Sequence, residues 1–149
     1  MEYKKGTESI IFLKLTPIND LSWVRSRLMG VDLRRGRYFL PGQPLHVIQR
    51  GNNRQAIFFA HQDAVNFLKW LNEEALRHRL AVHAYVLMPN HIHLLATPDD
   101  AESLPRTMQS LGRRYVRFIN GRLKRTGTLW EGRYRAAIID LEKYFFHCS

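Results

Sequence analysis

Hydrophobic and polar positions settle into readable periods from Leu45 onward. LHVIQ, Leu45 to Gln49, is short, apolar and β-branched, and it runs into RGNNRQ, a turn-forming stretch, so a strand is expected there. Asp63 is suited to cap a helix in which Val65, Leu68, Leu71, Ala75 and Leu76 recur at three- and four-residue steps to about Arg79, with Glu73, Glu74 and Arg77 largely off that stripe. Val82–Leu87 and His91–Thr97 read as two strands around a Met-Pro-Asn turn, hence a hairpin. Ser103 is placed to cap a second helix. Its stripe is Leu104, Met108, Leu111, Tyr115, Phe118 and Ile119, Pro105 is tolerated in the first turn, and Asn120-Gly121 is a stop signal. A strand over Tyr134–Ile139 and a helix from about Asp140 complete a β-α-β-β-α-β order, which predicts a ferredoxin-like α+β sandwich with an antiparallel sheet. Residues 1–37 (IIFLKL, TPIND, WVRSRL) hold no period and are expected to be an extension to a domain spanning 38–149; Met29 is an alternative start.

Composition narrows the partners. With 149 residues and 45% hydrophobic content the chain has material for one core, and no apolar run reaches the length of a membrane span. The first residues lack a signal-peptide core and cleavage site, so a cytoplasmic protein is expected. Cys148 is the single cysteine, which excludes an internal disulfide. Lys and Arg number 23 against 13 Asp and Glu, a net charge of +10 that points to a polyanion. Nine of the basic residues fall between Arg106 and Arg135, where Glu131 is the one acid and Tyr115, Phe118, Trp130 and Tyr134 are interleaved. Cationic and aromatic side chains in that mixture suit single-stranded nucleic acid, which is gripped by phosphate contacts and base stacking. In RGNNRQ, Gly51 allows a tight turn while Arg50, Asn52, Asn53 and Arg54 are candidates for phosphates or splayed bases.

Candidate chemistry sits in MPNHIHLLATP. Residues i and i+2 of a strand share a face, so His91 and His93 lie side by side while Ile92 and Leu94 point into packing. Two imidazoles on one face suit a cation, but H-x-H alone equally describes two half-buried strand residues. His83, on the preceding strand, is a candidate neighbour in a packing or supporting role. Tyr115 falls on the apolar stripe of the second helix, where by position alone it is a core tyrosine with a bonded hydroxyl.

RGNNRQ, HAYVLMPNHIHLLATP, MQSLGRRYVRFIN and GTLWEGRYRA, taken together and in that order, resemble the REP-associated tyrosine transposase group of the one-tyrosine HUH transposases over about Gly36 to Phe146. The resemblance implies that His91 and His93 hold a divalent metal, Mg²⁺ or Mn²⁺, and that Tyr115 attacks single-stranded or hairpin DNA to leave a 5′-phosphotyrosine and a free 3′-OH. Arg113, Arg114, Arg117 and Arg133 would then bind DNA, and a homodimer is a candidate assembly. Relatives can place a further metal ligand one turn after the tyrosine. Position 119 is Ile, which leaves Asn120, rotated by about 140° from Tyr115 on a helical wheel, as the candidate. Members of the group continue past this chain's last helix with an Asn-Pro-Val-Arg-like motif, so the domain is expected to be incomplete at its C-terminus. A DNA-binding remnant without catalysis and a metal-dependent hydrolase are the competing functions.

Overall fold

The computed structural model describes residues 41–139. Its elements are β1 (Leu45–Arg50), a short 3₁₀ turn (Asn52–Arg54), α1 (His61–Arg77), β2 (Leu80–Met88), β3 (His91–Pro98), α2 (Ser103–Leu123) and β4 (Arg135–Ile138). The strands form one antiparallel sheet in the order β2-β3-β1-β4, with both helices in a layer on one face. This is the ferredoxin-like α+β sandwich that the alternating pattern predicts. The extension over 1–37, the helix from Asp140 and Cys148 lie outside the described residues.

The sheet is two-faced because its strands alternate. On β3, Ile92, Leu94 and Ala96 are buried, whereas His91, His93, Leu95 and Thr97 are only partly covered. On β1, Leu45 and Val47 are buried, and His46 and Ile48 take the other face. The buried set joins Phe67 and Leu71 of α1 and Leu104, Leu111, Tyr115 and Ile119 of α2 in one core. Each fully buried aliphatic or aromatic side chain contributes about 1.5–3 kcal/mol through removal of apolar surface from water.

Two helix details depart from the periodic reading. On α1 the buried residues are Asp63, Ala64, Phe67, Leu71, Glu74 and Ala75, while Val65 is 40% and Leu76 73% exposed, so the inward stripe keeps Leu71 and Ala75 but is rotated from the expected one. Phe67 is the cause: its ring packs on Phe58 and Tyr115 and sets which side of the helix faces in. Asp63 does serve the N-terminus, but from the third helical position. Its Oδ2 accepts from the backbone N–H groups of Phe59 and Ala60, both at 2.9 Å, while Ala60 is the N-cap residue. Helix α2 continues through Asn120-Gly121 to Leu123 and closes on Lys124, a left-handed residue with φ 52°. The extra turn carries Arg122 to the buried carboxylate of Asp63, 2.7 Å from Oδ1, an attachment that outweighs a local stop signal. Ser103 is the first helical residue, and Glu102 takes the cap position.

Candidate functional site

The four sequence blocks meet at one corner of the fold. The Gly51 N–H donates to the carbonyl of Asn90 at 2.8 Å, and the Ile57 N–H to that of Pro89 at 2.7 Å, which ties the RGNNRQ loop to the turn before β3. The Asn52 N–H donates to the Leu129 carbonyl and the Glu131 N–H to the Arg50 carbonyl, each at 2.9 Å, which brings in GTLWEGR. Trp130 then lies over α2 at Gly112, where an added Cβ would stand 3.4 Å from the indole nitrogen. Gly51 is required by close approach: a Cβ there would run into the Gln55 carbonyl and come within 2.9 Å of Ile57 Cγ2. Asn53 and Arg54 both adopt positive φ, at 52° and 58°. Asn tolerates that region well; Arg54 is held in it by a loop hydrogen-bonded at both ends.

His91 and His93 lie together on the sheet face away from the helices, with ring centroids 4.9 Å apart. Burial holds both below the ordinary imidazole value; Arg50 adds to this for His91, and for His93 the neighbouring His91, His46 and Arg50 do so in that order. The charged imidazolium is thus disfavoured at both positions, and the neutral ring is the form that binds a metal. Nδ1 of His91 lies 2.7 Å from Asn90 Oδ1, and Asn90 Nδ2 donates to the Arg54 carbonyl at 3.2 Å. The pair is not alone: His46 of β1 stacks on His93 at 5.1 Å, with its Nε2 2.9 Å from His93 Nδ1. Periodicity had the signal for His46, since it alternates with Leu45 and Val47, but nothing local marks β1 as the neighbour of β3. Among the described residues no group of three His, Cys, Asp or Glu side chains is arranged to hold a metal ion. Two neutral imidazoles side by side do fit a divalent cation completed by water. His83 lies near the other end of β3, its Nε2 2.7 Å from Thr97 Oγ1.

Tyr115, expected from the resemblance to supply the nucleophile, is not brought to this face. It is fully buried on the helical side of the sheet, its hydroxyl donates to the Ile57 carbonyl at 2.6 Å, and Phe67, Phe58 and Trp130 surround the ring at 5.1, 5.7 and 5.9 Å. Burial pushes its phenol well above the ordinary value; Asp63 pushes the same way and Arg122 opposes. A phenol that resists ionisation and lies across the sheet from the histidines is a core residue. Asn120, the candidate further ligand, also belongs to the helical layer, where its Nδ2 donates to the Gly127 carbonyl at 2.9 Å.

The basic residues divide into engaged and free. Arg114, expected among the DNA ligands, bonds Glu73 Oε2 at 2.6 Å and lies 4.8 Å over the Trp70 ring, so it joins α2 to α1. Arg113, Arg117 and Arg133 are exposed and have no ion pair among the described residues, as does Arg50 at the end of β1. Arg113 and Arg133 border a cleft of about 460 Å³ between α2 and the segment before β4, with Trp130, Tyr134, Gln49 and Gln109 on its walls.

The paired histidines on one sheet face and the basic, aromatic-lined loops are thus set on a ferredoxin-like α+β sandwich. The family model described as "Transposase IS200 like" matches residues 42–144, and the chain belongs to that family. No curated protein matches the chain in sequence. The fold is similar to that of a protein described as a transposase from Deinococcus radiodurans R1 (TM-score 0.56, 20% identity, covering 77% of this chain and 97% of that one). It is also similar to a REP-associated tyrosine transposase bound to a REP hairpin (TM-score 0.53, 17% identity, covering 76% of this chain and 66% of that one).

Proposed function

We propose that this member of the IS200-like transposase family binds DNA as a single strand or a hairpin with single-stranded flanks, and that the sheet face carrying His91 and His93 holds a divalent metal, Mg²⁺ or Mn²⁺, where a phosphodiester is cut by attack of a tyrosine hydroxyl, the 3′-oxygen leaving as a free hydroxyl that can displace the tyrosine again on rejoining. The observation that carries the reading is the pair of adjacent imidazoles, 4.9 Å apart, on the face that the core does not use, near Arg50. A cation bound there would act as a Lewis acid on a phosphoryl oxygen and offset charge in the transition state. Arg50 adds a fixed positive charge at the end of the same strand. Arg113, Arg117 and Arg133, with Trp130 and Tyr134 among them, supply phosphate contacts and stacking surfaces. Asn52, Asn53 and Arg54 present the RGNNRQ loop beside the turn that precedes His91. The hairpin-bound relative supports the choice of nucleic acid.

Strand transfer through a 5′-phosphotyrosine needs a phenol at that face. Tyr115 is left out of the proposal on its geometry. Tyr85, paired with Leu94, and Tyr134, on the cleft, also lie away from the histidine face. This favours a second reading in which residues 41–139 bind DNA and metal, and strand transfer draws on a tyrosine outside them. A metal-dependent hydrolase is supported less, since the described residues assemble no third acidic, His or Cys ligand.

The test is a labelled single-stranded oligonucleotide incubated with the protein and Mg²⁺ or Mn²⁺. Divalent-dependent cleavage that disappears in the His91→Ala/His93→Ala variant while DNA binding persists is the expected result; unchanged cleavage overturns the metal assignment. A denaturant-resistant adduct mapped by peptide mass to a tyrosine other than Tyr115 supports the second reading. Binding without adduct supports a DNA-binding protein without strand transfer, and turnover without adduct supports the hydrolase.

A further inference from the structure

Resting on the reading of His91 and His93 as metal ligands, we propose that Asn90 and His46 are positioning residues that hold both rings in the Nδ1–H tautomer, so that both Nε2 lone pairs are presented for a divalent cation. The Asn90 side chain is oriented without ambiguity. Its Nδ2 is a donor and lies 3.2 Å from the Arg54 carbonyl, an acceptor, so its Oδ1 is the atom turned to His91 Nδ1 at 2.7 Å. An amide oxygen only accepts. The proton between them belongs to His91 Nδ1, and Nε2 of the neutral ring is left as a bare lone pair.

His93 is held at the same atom. Its Nδ1 faces His46 Nε2 at 2.9 Å with the rings stacked at an interplanar angle of 18°, so one proton lies between the two nitrogens. With that proton on His93 Nδ1, His46 is the acceptor and His93 Nε2 is bare, matching His91. No protein group among the described residues bonds Nε2 of either ring, so neither is claimed by another donor or acceptor. The RGNNRQ loop thereby acquires a role distinct from DNA contact: through the Arg54 carbonyl it sets Asn90, and through Asn90 it sets the tautomer of His91. His46 gives β1 a comparable part. Partners of this kind, bonded to the far nitrogen of a metal-ligating imidazole, typically change metal affinity by about 10–100-fold when removed.

Long-range ¹H–¹⁵N correlation spectra of the imidazoles, recorded on the metal-free full chain above pH about 7.5 where the rings are neutral, read the tautomer directly. The expected result is Nδ1–H for His91 and His93 in the wild type. His46→Phe keeps a stacked ring and removes the acceptor; it should shift His93 toward Nε2–H and weaken Mn²⁺ binding by about 10–100-fold, with His46→Gln, whose amide oxygen accepts, restoring both. Asn90→Ala should do the same to His91 alone. A wild-type His93 protonated on Nε2, or a His93 tautomer unmoved by His46→Phe, would overturn the proposal. The metal reading has its own signature, paramagnetic broadening of the His91 and His93 resonances on adding Mn²⁺. Nδ1–H tautomers without that broadening would uphold the positioning role and reject the metal assignment.

Discussion

Tyr115 and the histidines of the sheet illustrate how one fold gives polar rings opposite surroundings. A tyrosine on the buried stripe of a helix satisfies its hydroxyl within the core, here on the Ile57 carbonyl, and the same enclosure keeps it protonated. Tyr115→Phe should therefore cost only that hydrogen bond, about 0.5–1.5 kcal/mol in urea unfolding, and leave any DNA adduct in place; loss of the adduct with the fold intact would contradict the core assignment. Histidine on the other face brings a pH dependence. Burial lowers His83 below its ordinary 6.5, so the fold disfavours its imidazolium. Above that value the ring is neutral folded or unfolded and contributes nothing. As pH falls through it, the unfolded chain takes up the proton first, and stability drops until the folded ring titrates too. His91 and His93 carry the same sign. Denaturation midpoints should thus fall below pH about 6.5, less steeply in His83→Gln; a flat profile would contradict the lowered values.

At the scale of elements, the strands and their faces were legible because alternation has a single phase: Ile92 and Leu94 inward forces His91 and His93 outward. Helix phase was less legible. On α1 the expected Leu71 and Ala75 are buried and Leu68 packs against the core, but Val65 and Leu76 face outward and Ala64 and Phe67 take the inward side, because Phe67 fits the aromatic cluster around Tyr115, a tertiary fact invisible from spacing. The same limit hid His46, whose place beside His93 depends on β1 lying next to β3, and it hid the buried position of Tyr115, since a resemblance in sequence blocks does not say which side of the sheet a helix covers. Arg114 read as a DNA ligand for the same reason, its partner Glu73 being on another helix. Where sequence blocks are joined by backbone, single changes should be costly. Gly51→Ala would press a methyl group on the Gln55 carbonyl, which the loop cannot move cheaply, and should lose on the order of 1–3 kcal/mol along with DNA affinity. A neutral outcome in both would show that the corner is looser than its hydrogen bonds imply.

For the whole molecule, the net charge of +10 acquires structure once engaged and free cations are told apart. Single-stranded DNA should bind more tightly than a featureless duplex, with affinity falling linearly in log salt. Each phosphate contact adds about 0.7 to that slope. Replacing Arg113, Arg117 or Arg133 with Ala should reduce the slope by about that amount each, whereas Arg114→Ala should lower stability and leave the slope alone. Equal slopes across all four variants would remove the basic surface from the binding model. No helix among the described residues is long and apolar enough to cross a membrane, so this charge is not carried beside a helical span within them.

On the proposed function, His91 and His93, on the face opposite the core, hold the divalent cation that acts on DNA. Pulsed electron paramagnetic resonance of Mn²⁺ bound to the protein with a single-stranded oligonucleotide tests it most directly, because imidazole nitrogen bonded to Mn²⁺ produces a ¹⁴N modulation that water and phosphate do not. Coupling to two histidine nitrogens is expected in the wild type and none in His91→Ala/His93→Ala. Bound Mn²⁺ without imidazole coupling in the wild type, or the same coupling in the double variant, would contradict it.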